Sequence, residues 1–313
     1  MYAYIIRRLI ATIPIMAIVA VFVFMLLHLS PGDPAAIIAG DFATEDQIIK
    51  IREQLGLNDP LYIQFGSWLV NLLQGDMGQS IYSGLPVTKL IGQRIEPTLM
   101  LTLCTMVIAI TMAIPLGVIA AWKVGTWIDR MVMTLAVFGF SVPVFVIGYL
   151  LILGGSRTLG WFPVQGYTSI FESVPGFLSH ITLPALTLGA VYMALIARMT
   201  RATMLEVLNE DYVRTAYAKG LATRKVLVKH ALKNAMVPIS TTIGLGVALL
   251  IGGVVVTESV FAIPGLGRLT VDAVLRTDYP VIQGVILVFS FTYVLLNLLI
   301  DLSYVLFDPR IRY

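Results

Sequence analysis

Six apolar runs long enough to cross a bilayer divide this chain, near residues 9–29, 98–122, 131–153, 181–198, 236–257 and 281–306. A crossing needs about 20 apolar residues as a helix. Backbone polar groups in hydrocarbon must be satisfied within the protein, so such runs are restricted to helices. The fourth run is the shortest and is opened by Pro184. The expectation is an all-α membrane protein with six transmembrane helices. Six crossings return both termini to the same side. Composition agrees: 58% of the residues are hydrophobic and only 12% are charged, where a soluble domain carries about a quarter.

Orientation follows from lysine and arginine, which concentrate in cytoplasmic connections. Arg7 and Arg8 precede the first run, and Lys123 and Arg130 lie between the second and third. The stretch 198–238 joins the fourth and fifth with eight Lys/Arg against three Asp/Glu, and Arg310 and Arg312 close the chain. All fall on one side of a six-span arrangement, which puts both termini in the cytoplasm. The opposite segment 30–97 carries eight Asp/Glu and four Lys/Arg and has no positive bias. The net charge of +3 is explained by this bias, so no nucleic-acid partner is implied. The first run is too long for the roughly 7–15-residue core of a secretion signal, and no A-x-A site follows. It reads as a retained span in a cell membrane, with the lipid bilayer as its surroundings.

Three parts result: an N-terminal span, 1–29; an external helical segment, 30–97; and a five-span core, 98–313, holding a cytoplasmic hairpin at 199–235. In the external segment, EDQIIKIREQLGL has helical apolar spacing and stops at Asn58-Asp59-Pro60. YIQFGSWLVNLLQ is a second helix, too short for a further span, and forms a cap or lies in the interface.

No catalytic or metal-binding pattern is present in the sequence. Cys104 is single and lies in an apolar run, where it fills space. His28, His180 and His230 are scattered, and no G-x-x-x-x-G-K-[ST] loop occurs to cradle phosphates. The chain reads as a non-enzyme that binds no cofactor. Gly244, Gly246, Gly252 and Gly253 crowd the fifth run. They allow either close helix packing or a span that lines a pathway and bends. Glu258, at the end of that run, is a candidate contact for an external partner or for polar atoms of an outer gate. Asp301, in the last run, suits a structural pairing or helix-end role better than ion coupling.

The hairpin is the richest segment. Residues 202–218 have helical apolar spacing, with Met204, Leu205, Leu208, Tyr212 and Thr215 near one face. Gly220 supplies the left-handed stop, and Thr223 is placed to cap the next helix. Arg224, Lys225, Lys229 and Lys233 make that helix basic. Physics alone leaves two readings, an anchor on anionic lipid or a dock for a partner.

RTAYAKGLATRKVLVKHALKNAMVP resembles the "EAA" cytoplasmic loop of binding-protein-dependent ABC importer permeases. The pattern E-A-A, three residues, then Gly falls on Arg214, Thr215, Ala216 and Gly220. Arg214 replaces the Glu, Pro238 comes later than in the general pattern, and Tyr217 stands where the family commonly has Arg. HLSPGDPA, QLGLNDPLYIQFGSWL, QGDMGQSIYSGLPV, TLPALTLGA, ESVFAIPGLGRL, DYPVIQG and DPRIRY follow the dipeptide/oligopeptide/nickel/glutathione permease family in order along nearly the whole chain.

The resemblance implies one of two similar permeases of an importer. A second permease, one or two ABC ATPase subunits carrying ATP and Mg, and an external solute-binding protein complete it. It also implies that Ala218 to Lys225 docks the ATPase, including Leu221, Thr223 and Arg224, with Gly220 as the turn. Arg214 and Lys219 would be polar contacts. The competing class is an ATP-independent secondary transporter or channel, which wants buried carboxylates or inverted repeats. A membrane-embedded enzyme would want paired catalytic residues.

Overall fold

The computed structural model of the chain describes residues 2–29, 35–36, 44–54 and 56–307. The DPRIRY motif, most of HLSPGDPA, and the side chain of Asp301 lie outside what is described. Helices dominate, and among the described residues there is no strand. Four helical stretches are long and apolar enough to cross a membrane: Ile10–Leu29, Val87–Trp122, Val174–Leu208 and Tyr279–Leu298. Two bent pairs, Trp127–Ser141 with Val144–Thr158 and Thr223–Val247 with Gly252–Val260, bring the number to six if each is one span.

The chain divides into two compact units. The first comprises Glu96–Arg268 and the stretch from Leu296 onward. It contains α5 (Ile95–Trp122), α6 (Trp127–Ser141), α7 (Val144–Leu151) and α8 (Val174–Leu208). After α8 come α9 (Asp211–Ala218), α10 (Thr223–Lys225) and α11 (Lys233–Val260). α8 is the hub, packed against α6, α7 and α11. Leu188, Ile196 and Met204 of α8, Leu250 of α11 and Leu101 of α5 form its dry centre. Small residues let backbones meet: a β-carbon at Gly117 would come within 2.6 Å of Thr200, and one at Gly139 within 2.9 Å of the Ala190 carbonyl. Close backbone approach is how membrane helices gain dispersion energy where lipid is as apolar as the core.

Three expected spans differ from the sequence reading, the fifth by the 55° bend between Val247 and Gly252. The third is broken: α6 and α7 meet at 107°. Pro143 follows Val142, which sits extended at φ −82°, ψ 128°, because a residue before proline is driven out of the helical region. The fourth is longer than expected, and Pro184 lies inside it. The helix begins at Val174, where Ser173 accepts the Gly176 N–H at 3.2 Å and a proline occupies the first turn. Proline is tolerated there because its missing N–H is one no helix can pair.

The second unit comprises Tyr2–Ile95 and Leu269–Leu295. It holds α1 (Tyr2–Leu29), α2 (Glu45–Gln54), α3 (Leu61–Leu73) and α4 (Val87–Gly92). The later part of α12 (Leu266–Leu275) and the first half of α13 (Tyr279–Phe307) belong to it. α3 packs on α1 through the rings of Phe24, Phe65 and Trp68. Buried Asp278 accepts the Ser80 hydroxyl at 2.5 Å and the Ile81 N–H at 3.1 Å. Gln283 donates to the Val23 carbonyl at 3.0 Å. These bonds tie the segment after α3 to the turn that precedes α13, and the first span to α13 itself.

Candidate functional site

The hairpin between α8 and α11 is built from a stop, a short helix and a second stop. α8 ends at Leu208, and Asn209 donates its side-chain amide to the Leu205 carbonyl at 2.9 Å. Glu210 turns extended and α9 starts at Asp211, whose charge suits a helix N-terminus. The expected single helix over 202–218 is therefore two. Asn209 is the reason, since its side chain competes for the carbonyls the helix would continue from.

α9 closes in a Schellman motif. The Leu221 N–H reaches the Ala216 carbonyl at 3.3 Å, the Gly220 N–H reaches Tyr217 at 2.9 Å, and Gly220 has φ +75°. Only glycine takes this conformation without a steric penalty. Leu221 then packs toward Val213, Ala216 and Val226, with Val207 and Leu208 beside them. This small apolar knot holds the hairpin's shape from inside. Thr223 is not the cap: Ala222 takes that position, Thr223 is the first helical residue, and no side-chain bond caps the turn. α10 then runs through a π-helical stretch, Val226–Leu232, into α11.

A clamp fixes the base of this hairpin. Arg201, in the last turns of α8, donates to Asp129 from Nε at 2.5 Å and Nη2 at 2.8 Å. Asp129, in the first turn of α6, also accepts the Gly125 N–H at 3.0 Å. A two-pronged guanidinium–carboxylate pair fixes direction as well as distance.

The other end of α11 carries a second carboxylate. Glu258 is fully buried. It accepts the Thr98 hydroxyl at 2.6 Å and the Arg268 N–H at 2.9 Å. Thr98 in turn accepts the Leu266 N–H at 2.8 Å. A β-carbon at Gly265 would fall inside the Glu258 carboxyl group. The loop after α11 thus folds back over its own glutamate. Nearby, Tyr167 and Ser169 donate to Glu96 at 3.0 and 2.7 Å. Burial first, and then the Glu96 carboxylate, hold the Tyr167 phenol well above its ordinary pKa, so it remains a donor.

Residues 113–313 match the family model of the binding-protein-dependent transport system inner membrane component, and residues 1–102 match its N-terminal companion. The chain belongs to this family. It is similar over its full length to a "Probable peptide ABC transporter permease protein" of Sinorhizobium fredii, 54% identical with 100% of both chains covered. It is 48% identical to the glutathione transport system permease protein GsiC of Escherichia coli, again over 100% of both. The fold is shared with the membrane subunit in an inward-facing crystal form of the MetNI methionine ABC transporter. That match has TM-score 0.58 and 17% identity over 70% of this chain and 96% of that one. This protein is an ABC importer permease, a transport subunit of the inner-membrane type.

In this permease the expected docking residues separate by exposure. Arg214, Ala218, Lys219, Gly220, Arg224 and Lys225 are exposed, while Leu221 and Thr223 are half-buried. Ala216 is buried and belongs to the apolar knot, so it supports the surface from beneath. Arg214 lies 3.7 Å from Asp211, and both are open to solvent. The exposed face also presents Tyr212, Tyr217 and Val228, which the sequence reading did not select as contacts.

The glycines divide as well. Gly246 faces Tyr192 at 3.3 Å and Gly253 faces Leu188 at 2.8 Å, so both are packing positions against α8. Gly244 is buried, whereas Gly252 is exposed with open space around it. Glu258 has no exposed surface with which to meet an external partner, so of its two expected roles only the internal polar one fits. The Asp129–Arg201 clamp went unseen in the sequence, since its partners lie far apart along the chain. Among the described residues, no three His, Cys, Asp or Glu side chains come together as metal ligands.

Proposed function

We propose that this permease pairs with a second, homologous permease to form the pathway for peptides or related small solutes. An external solute-binding protein delivers the cargo, and one or two ABC ATPase subunits carrying ATP and Mg drive the cycle. The ATPase docks on the exposed rim from Ala218 to Lys225, with Arg214 as a flanking contact. Both termini lie in the cytoplasm, on the side of the dock.

The observation that carries this reading is the hairpin's two-faced build. Its inner face is a closed apolar knot around Val213, Ala216 and Val226. Its outer face leaves Arg214, Lys219, Arg224 and Lys225 open to solvent. A lipid anchor does not require a turn locked by a left-handed glycine, whereas a rigid dock does. Rigidity matters because a push delivered to a flexible loop dissipates in its own fluctuations. The clamp at Asp129 and Arg201 gives the hairpin a firm base on α8. The names of the full-length relatives support peptides or glutathione as the cargo class.

Extraction in mild detergent tests the assembly: an ATPase and a second permease should accompany this chain. Recovery of the chain alone as an active transporter would sink the importer-subunit reading. The cargo is tested by a binding screen on the cognate solute-binding protein, in which short peptides and glutathione should outcompete free amino acids.

A further inference from the structure

The second unit contains a cavity of about 600 Å³ to which the proposed transport role assigns no part. It is walled by the last turns of α1, by α3, by the segment 76–81 and by the start of α13. Its height in the bilayer follows from its walls. α1 is apolar from Ile10 to Leu29, so Phe24 and His28 lie where that helix leaves the hydrocarbon. α3 has 13 residues, too few to cross. It exposes Leu61, Tyr62, Ile63, Val70 and Leu73, as a helix lying in the interface does. The cavity therefore opens at the level of lipid head groups, whichever side α1 ends on.

Its chemistry is selective. Among the described lining residues, Asp76 is the single carboxylate and none is Lys or Arg. Asp76, an exposed residue, accepts the Gly78 N–H on Oδ1 at 2.8 Å, and no Lys or Arg among the described lining residues offsets its charge. His28 is held in the wall: its Nε2 faces Gln64 Oε1 at 3.0 Å, and the Gln64 amide donates to the Leu57 and Asp59 carbonyls. Phe24 and Trp68 stand 5.7 Å apart and present ring surface to the cavity. Ring faces and a carboxylate lining one cavity favour a small cation. The side-chain amides of Asn71 and Gln79 complete the lining as donors for an anionic oxygen.

We propose that this cavity binds the head group of an aminophospholipid, phosphatidylethanolamine in chemical class. The ammonium lies between Asp76 and the rings, and the phosphate accepts from Asn71 and Gln79. A head group with a phosphate and no ammonium, such as phosphatidylglycerol, would meet the carboxylate with nothing to offset it. A choline head group has no N–H to donate to Asp76.

The test is native mass spectrometry of the whole transporter, loaded in turn with phosphatidylethanolamine and phosphatidylglycerol. The wild type should retain the first about tenfold better than the second, a difference of about 1.4 kcal/mol. Asp76→Asn, which keeps an acceptor for the Gly78 N–H, should abolish that preference. Asp59→Asn, the same charge change outside the cavity, should preserve it. Trp68→Leu, which keeps the charge, should weaken retention of phosphatidylethanolamine. Equal retention of the two lipids by the wild type overturns the proposal even if no variant folds. Displacement of the lipid by a peptide with a free N-terminus, and not by its N-acetylated form, overturns the lipid assignment and gives the pocket to cargo.

Discussion

The two ends of the helical run from Thr223 to Val260 solve opposite problems with similar residues. At the hairpin end, charged side chains stay in water and an apolar knot holds the shape behind them. At the Glu258 end, a charged side chain is fully buried and its oxygens are occupied by Thr98 and the Arg268 N–H. Each end also depends on glycine, for different reasons. Gly220 is needed for its backbone angle, at φ +75°. Gly265 is needed for its missing side chain, since a β-carbon there meets the Glu258 carboxyl. The contrast teaches that charge left exposed is available to a partner, whereas charge buried and held by hydrogen bonds fixes a loop. Only the first kind makes a dock.

The sharpest way to break the comparison is at the hairpin's base. Arg201→Met leaves the Asp129 carboxylate enclosed and without its hydrogen-bonded cation, with only the field of Arg130 to offset it. The expected loss is toward the lower end of about 3–5 kcal/mol, because Arg201 keeps 25% of its side-chain surface exposed. Thermal unfolding of the purified complex would register it, and adding Asp129→Leu should recover much of the loss. No recovery in the double variant would mean the pair is not the unit described here.

The next effect belongs to the other end. Gly265→Ala forces the loop off Glu258, with a cost of about 1–3 kcal/mol for overpacking. Shortening the glutamate by Glu258→Asp in the same chain should relieve part of it. If the loop is a structural lid on its glutamate, both variants should lose stability and uptake together, without changing the uptake obtained per ATP hydrolysed.

Gly220→Val comes third. A β-branched residue in the left-handed region costs roughly 1–2 kcal/mol locally. Its signature should differ in kind: ATP hydrolysis continues in the complex, or the ATPase dissociates, while uptake falls. Undiminished ATP-dependent uptake in this variant counts against the dock. Gly220→Asn should be milder, because asparagine tolerates the left-handed region.

The smallest effect on stability is expected for Arg214→Ala. Arg214 and Asp211 are exposed and 3.7 Å apart, and ion pairs of that kind contribute little in water. Its thermal midpoint should match the wild type. A fall in ATPase co-purification at unchanged midpoint would mark Arg214 as a partner contact.

The spans, the family and the Gly220 stop were legible in the sequence because each is written in neighbouring residues. Apolar runs report burial in lipid directly, and a glycine between a helical pattern and a basic one leaves few backbone solutions. The break at Asn209 was harder to see. Nothing in the apolar spacing of 202–218 says that one amide will compete for a carbonyl. The capping role given to Thr223 failed for a related reason, since a hydroxyl one residue inside the helix has the right chemistry at the wrong backbone angle.

What tertiary structure alone decided is which charges face a partner and which face the protein. In sequence, Glu258 stands at the end of an apolar run and Arg214 within a charged hairpin, and neither pattern says which will be enclosed. Asp129 and Arg201 show no spacing that pairs them, and Thr98 none that points to Glu258. Local pattern determined that this chain spans a membrane and carries a stiff basic hairpin. Long-range packing decided the rest, because a charge's environment is set by whatever the fold brings within about 3 Å of it.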